Sequence, residues 1–263
     1  MKDTSLIFLE NVKLEKLKKY QLDEESILKF QSKIKKVPNE EKQALGQQLF
    51  ELISSKKKNS NVTNELISEV TELIVNGADL EYKDEKKGDF SLLVCTRKGF
   101  KEIAYLLLRA GANVNQANNY LTTTVMAAAR HGHKELLELL LLLGANVNAV
   151  CYDGDNAIMS AKRHSQQECF DLLVKHQSYL THKNIANQTI LDLPGSVSFT
   201  LNLINNSTKE PIYQTSEEDV LSLLKEAKNE LLKLKKTFNN QEENKDIDSK
   251  PNSDQFIEEP RFR

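Results

Sequence analysis

The chain has 263 residues, a formal net charge of −2 at pH 7, 39% hydrophobic and 28% charged residues, and three cysteines. Near-balanced charge argues against wholesale nucleic-acid binding, and three cysteines provide no disulfide framework, which fits a reducing compartment. The leucine run Leu139 to Leu143 falls far short of the roughly 20 residues of a membrane span, and Leu6 to Leu9 is too short for a leader.

In chain order, residues 1–40 read as helical. Asp23 is placed to cap a helix from Glu24 to Lys36, which Pro38 ends. This block is expected to cover the exposed apolar face of the first helix-pair unit. That unit spans 45–84, with helices at Leu49–Ile53 and Glu65–Val75, an insertion from Lys56 to Asn61, and a closing Asn76-Gly-Ala-Asp-Leu80. Units at 85–117, 118–150 and 151–183 come next, and a short one at 184–206 ends at Pro194-Gly195. The segment Gly99–Asn115 recurs 33 residues on as Gly132–Asn148. Such a period marks stacked helical repeats. Apolar positions agree, with Ile103, Leu106 and Leu107 on one helix matched by Leu136, Leu139 and Leu140 on another. The run Ala127-Ala-Ala129 suits a helix packed close to its neighbours.

Beyond the repeats, residues 207–238 hold a linker and a helix. Ser216, Glu217, Glu218 and Asp219 suit that helix's start. Val220, Leu224, Ala227, Leu231, Leu234 and Phe238 make a narrow apolar seam. The seam fits docking on the last repeat, or self-association through 216–238. Residues 239–263 are polar and acidic and are expected to be disordered. The expected organisation is an N-terminal helical cap (1–40), a repeat domain (41–206), the linker and helix (207–238), and the tail (239–263).

Seven of nine glycines fall in the 33-residue register: Gly77, Gly88, Gly99, Gly111, Gly132, Gly144 and Gly154. With the Leu-rich second helices and the Gly-Ala-Asn-Val-Asn endings, this pattern resembles the ankyrin repeat. The resemblance implies an all-α solenoid of about five ankyrin units with extra helices at both ends. It also implies a protein–protein interaction surface rather than an enzyme. Thr189-Ile-Leu-Asp-Leu193 resembles a terminal ankyrin unit. The family's Thr-Pro-Leu-His is replaced by Phe90-Ser-Leu-Leu93, Thr123-Thr-Val-Met126 and Asn156-Ala-Ile-Met159. Loss of those hydrogen bonds should lower stability.

Two candidate partner-binding surfaces stand out. Only six of the 36 basic residues are arginine, yet Arg97, Arg130 and Arg163 occupy one position in successive units, each followed by Lys98, His131 or His164. Such a stripe suits a protein partner with an acidic patch, although cations at this helix end also complement the dipole. The hairpin tips carry Tyr82, Asn118, Asn119, Tyr120, Tyr152 and Asp155, where tyrosines anchor interfaces or pack on the neighbouring hairpin. His131 and His133 lack a third ligand for a metal. No catalytic motif and no cofactor-binding motif is present.

The tail, with Glu258, Glu259 and Phe262, resembles translocation signals of Dot/Icm type IV effectors of intracellular bacteria. This implies an effector adaptor acting on a host protein in the host cytosol. The alternative is a cytosolic assembly subunit that oligomerises through its C-terminal helix. Asn115 and Asn148, each eight residues after a leucine (Leu107, Leu140), resemble ankyrin sites modified by the animal asparaginyl hydroxylase. The same asparagines also suit bonding across the hairpin.

Overall fold

The computed structural model describes residues 13–193, except 14, 59–60, 177–179, 181 and 191. All of these lie in the first of two compact units, residues 1–216. The helix expected at 216–238, the tail, and the end of the last unit lie outside the described residues.

The described helices are α1 (Glu24–Gln31), α2 (Asn39–Ser55), α3 (Asn64–Val75), α4 (Ser91–Lys98), α5 (Lys101–Ala110), α6 (Thr124–His131), α7 (Lys134–Leu142), α8 (Ala157–Arg163) and α9 (Gln167–Lys175). From α2 onward they form four antiparallel pairs. The first helices α2, α4, α6 and α8 stack on one another in one layer, and the second helices form the other. The first-helix layer is packed more closely. Ala127, Ala128 and Ala129, all buried in α6, allow that approach. Between the layers lie Ile53, Val70, Leu93, Ile103, Leu107, Leu136, Leu140, Ile158 and Phe170, all essentially inaccessible. A short hairpin joins successive pairs, closed by one bridge each at Lys83–Phe90, Ala117–Thr123 and Val150–Asn156. The seven glycines in register all have positive φ.

The replaced Thr-Pro-Leu-His motifs keep part of their function. Thr123 and Asn156 still cap their helices, accepting from the backbone N–H of Met126 and Met159. Phe90 makes no cap bond and instead is fully buried.

Asp23 caps α1, but the helix ends at Gln31, not Lys36. The chain then runs to the end of α3, where Lys35 N–H donates to the Val75 carbonyl at 2.8 Å. The N-terminal block, expected to cover the end of the first repeat, crosses the second-helix layer as a strap. α1 packs on α5, and the Tyr20 ring lies 4.9 Å from Tyr105 of α5 while its hydroxyl donates to Glu135 of α7 at 2.8 Å. Arg109 sits 4.4 Å over the Phe30 ring and donates to Gln21. α2 is longer than expected, starting at Asn39 rather than Leu49.

Candidate functional site

Two units carry the same buried relay. Asp89 accepts from the Arg97 guanidinium, eight residues on, and from Asn118 Nδ2 at 2.7 Å. Asn118 Oδ1 in turn accepts from the N–H groups of Tyr120 (3.0 Å) and Thr122 (2.9 Å). The pattern returns 66 residues later. Asp155 accepts from Arg163 Nε at 2.9 Å and from Asn184 Nδ2 at 2.8 Å, and Asn184 Oδ1 accepts from Gln188 N–H at 2.9 Å. Each relay ties a first helix to its own hairpin and to the next. The Asp side chains are 11% exposed, so the paired charge is what permits their burial.

The unit between them lacks the relay. At the Asp position stands Thr122, and at the Asn position Cys151. Arg130 is exposed and, among the described residues, its side chain makes no hydrogen bond or ion pair. The hairpin tip also changes. Gly88 and Gly154 hold left-handed φ of 64° and 76°, whereas the corresponding residue here is Leu121, at φ 57° with 49% of its surface exposed. A branched side chain there is strained.

The structure therefore divides the residues expected to bind a partner. Asn118 and Asp155, expected at the hairpin surface, are buried relay members. Arg97 and Arg163 are paired within their own units and do not form a free stripe with Arg130. Lys98 is turned to the end of α2, donating to the carbonyls of Ser54 (2.7 Å), Ile53 (3.2 Å) and Lys56. His131 lies 3.3 Å from Lys58 of the insertion. Burial first, then Lys58 and the other nearby cations, depress its pKa to about 4. His164 bonds the Ser160 carbonyl through Nδ1 at 3.0 Å. The Tyr82 ring packs at a tilt against Phe50, with ring centres 5.9 Å apart and 55° between the planes. Asn119 is exposed, with its N–H tied to Lys87 O. Tyr120 and Tyr152 are 53% and 70% exposed. Asn115 accepts from Asn146 N–H at 2.7 Å, so it links one hairpin to the next. Asn148 N–H donates to Asn146 Oδ1.

The most exposed tip residues lie at the start of the third, fourth and fifth units. The tips adjoin there, with Tyr152 N–H donating to Tyr120 O (3.0 Å) and Ile185 N–H to Asp153 O (3.1 Å). Ile185 is 76% exposed. A groove of about 590 Å³ is lined by Arg130, Cys151, Asp153, Arg163, His164 and Ile185, among others. Sequence reasoning missed Leu121 and Ile185, and it missed the relay. The signal was available in the 33-residue register, as Asp89, Thr122, Asp155 and as Asn118, Cys151, Asn184. Among the described residues no group of three His, Cys, Asp or Glu is placed to hold a metal, and no helix is long and apolar enough to cross a membrane.

The family model for ankyrin repeats, in three copies, matches residues 55–151 and 126–194. The chain belongs to the ankyrin repeat family. No curated protein matches it. Ankyrin repeats generally mediate protein–protein interaction, and ankyrin proteins are typically non-enzymatic. In this ankyrin domain, the buried relays are scaffold, and the hairpin tips of the third to fifth units expose Tyr120, Leu121, Tyr152 and Ile185.

Proposed function

We propose that this ankyrin-repeat protein is a non-enzymatic adaptor that holds a protein partner along the inner helices of its third and fourth units and the hairpin tips of its third to fifth. The observation that carries this reading is the row of exposed Tyr120, Leu121, Tyr152 and Ile185 beside a groove containing Arg130. Aromatic and aliphatic side chains around an arginine are the usual composition of an interface centre. The test compares full-length chain with a Tyr152→Arg, Ile185→Arg variant as bait in host-cell lysate. Proteins retained by the first and lost with the second support the reading. An identical set retained by both refutes it.

The finer reading is delivery into an animal cell by a type IV system, the partner being a host protein with an acidic patch. It rests on the composition of residues 239–263. A translocation reporter fused to those residues tests it, and absence of delivery removes it. Oxygen addition at Asn115 or Asn148 would accompany cytosolic exposure to the hydroxylase, read by mass spectrometry of the two hairpin peptides. The competing reading is an assembly subunit joined through residues 216–238. It predicts an oligomer by light scattering that Leu224→Glu with Leu231→Glu dissolves.

A further inference from the structure

We propose that Arg130 is the anchor for a carboxylate supplied by the partner, which presents it on a peptide segment beside an apolar side chain. This deepens the adaptor reading and rests on it. The flanking units show what the position does by default. Arg97 and Arg163 each take the carboxylate eight residues earlier, and an amide from the next hairpin completes the bond. Around Arg130 both partners are gone at once, replaced by Thr122 and Cys151. The guanidinium fork is left open at the groove, and its preferred counterpart is a carboxylate.

Three further features point to the same place. Leu121 holds a left-handed tip that its neighbours give to glycine, so an exposed apolar group is kept there against backbone strain. Tyr120, Tyr152 and Ile185 stand close by in the sequence of tips, ready to take the apolar side chain. The local charge also fits. Asp155 is neutralised by Arg163, while Lys58 lies beside His131, next to Arg130 in the chain. Asp153, exposed in the groove lining, disfavours a second acid on its side.

The experiment selects a random peptide library displayed on phage against the full chain and measures the selected peptides by fluorescence polarisation. Selected peptides should carry Asp or Glu beside an aromatic or aliphatic residue. Arg130→Gln should weaken them about tenfold or more, and changing the peptide acid to its amide should cost the wild type but not Arg130→Gln. The decisive variant is Thr122→Asp with Cys151→Asn. It installs the relay found on both sides, should keep the fold, and should quench Arg130 from within, with the same loss of binding. Acid-free peptides, or undiminished binding to the relay variant, overturn the inference. If such peptides still depend on Tyr152 and Ile185, the adaptor reading survives alone. If no peptides are selected, or binding persists in Tyr152→Arg, Ile185→Arg, both fail.

Discussion

At the scale of residues, three arginines in identical register have unequal environments. Replacing Arg97 or Arg163 by Glu would set a second carboxylate against Asp89 or Asp155, each 8% exposed as a residue. Either change is expected to cost about 2 kcal/mol or more, the side chains being only partly exposed. Arg130→Glu meets no such partner and should stay within about 0.5 kcal/mol of wild type. Thermal unfolding of the three single variants checks this, and equal losses at all three would be the contrary result. Leu121 gives a second prediction. Leu121→Gly relieves the positive φ and, after the entropy that glycine adds to the unfolded chain, should stabilise by about 0.5–1 kcal/mol. The same change should weaken peptide binding, so stability and affinity move in opposite directions.

At the scale of elements, two long-range attachments stand out. Lys98 of α4 closes the carbonyl end of α2, where the insertion would otherwise leave those acceptors to water. Lys98→Met should cost about 1–2 kcal/mol. Amide exchange should rise first at the end of α2, and an unchanged pattern there would rule out the capping role. The strap depends on Tyr20, which touches α5 and α7 together, and on Glu135, which accepts from both Tyr20 and Lys101. Tyr20→Ala should speed exchange across residues 15–31 while α8 and α9 keep their protection. If α8 and α9 lose protection equally, the strap is an integral part of one cooperative unit.

At the scale of the molecule, stability should fall as pH drops from 7 toward 5. Burial keeps His131 neutral, with its pKa near 4 against an ordinary 6.5, and burial lowers His133 as well. Between pH 6.5 and 4 the unfolded chain takes up a proton that the folded chain resists, so the contribution is complete above 6.5 and is lost going down. Glu135 and Asp23, held low chiefly by bonds from Lys101 and Ser26 respectively, lose their contributions in the more acidic carboxylate range. His131→Gln should flatten the upper part of the melting-temperature profile. A wild-type profile flat from pH 7 to 5 would contradict this account.

The repeat architecture was legible in the chain because its determinants are local and recur. The glycines near residues 88, 99 and 111 and their copies mark where the backbone must turn left-handed, and Leu-rich spacing marks which helix face is buried. Asp23 likewise announced the start of α1. The end of α1 was decided by a tertiary contact, the chain beyond it being tied to the end of α3 through Lys35 N–H and the Val75 carbonyl. The strap's course depends on distant partners, such as Tyr105 and Glu135, 85 and 115 positions from Tyr20, which no local pattern encodes. The candidate site shows the same division. The sequence alone put Arg97, Arg130 and Arg163 on one line. Tertiary structure distinguished them, because a guanidinium's availability depends on which acid and amide the adjoining hairpins bring within bonding distance.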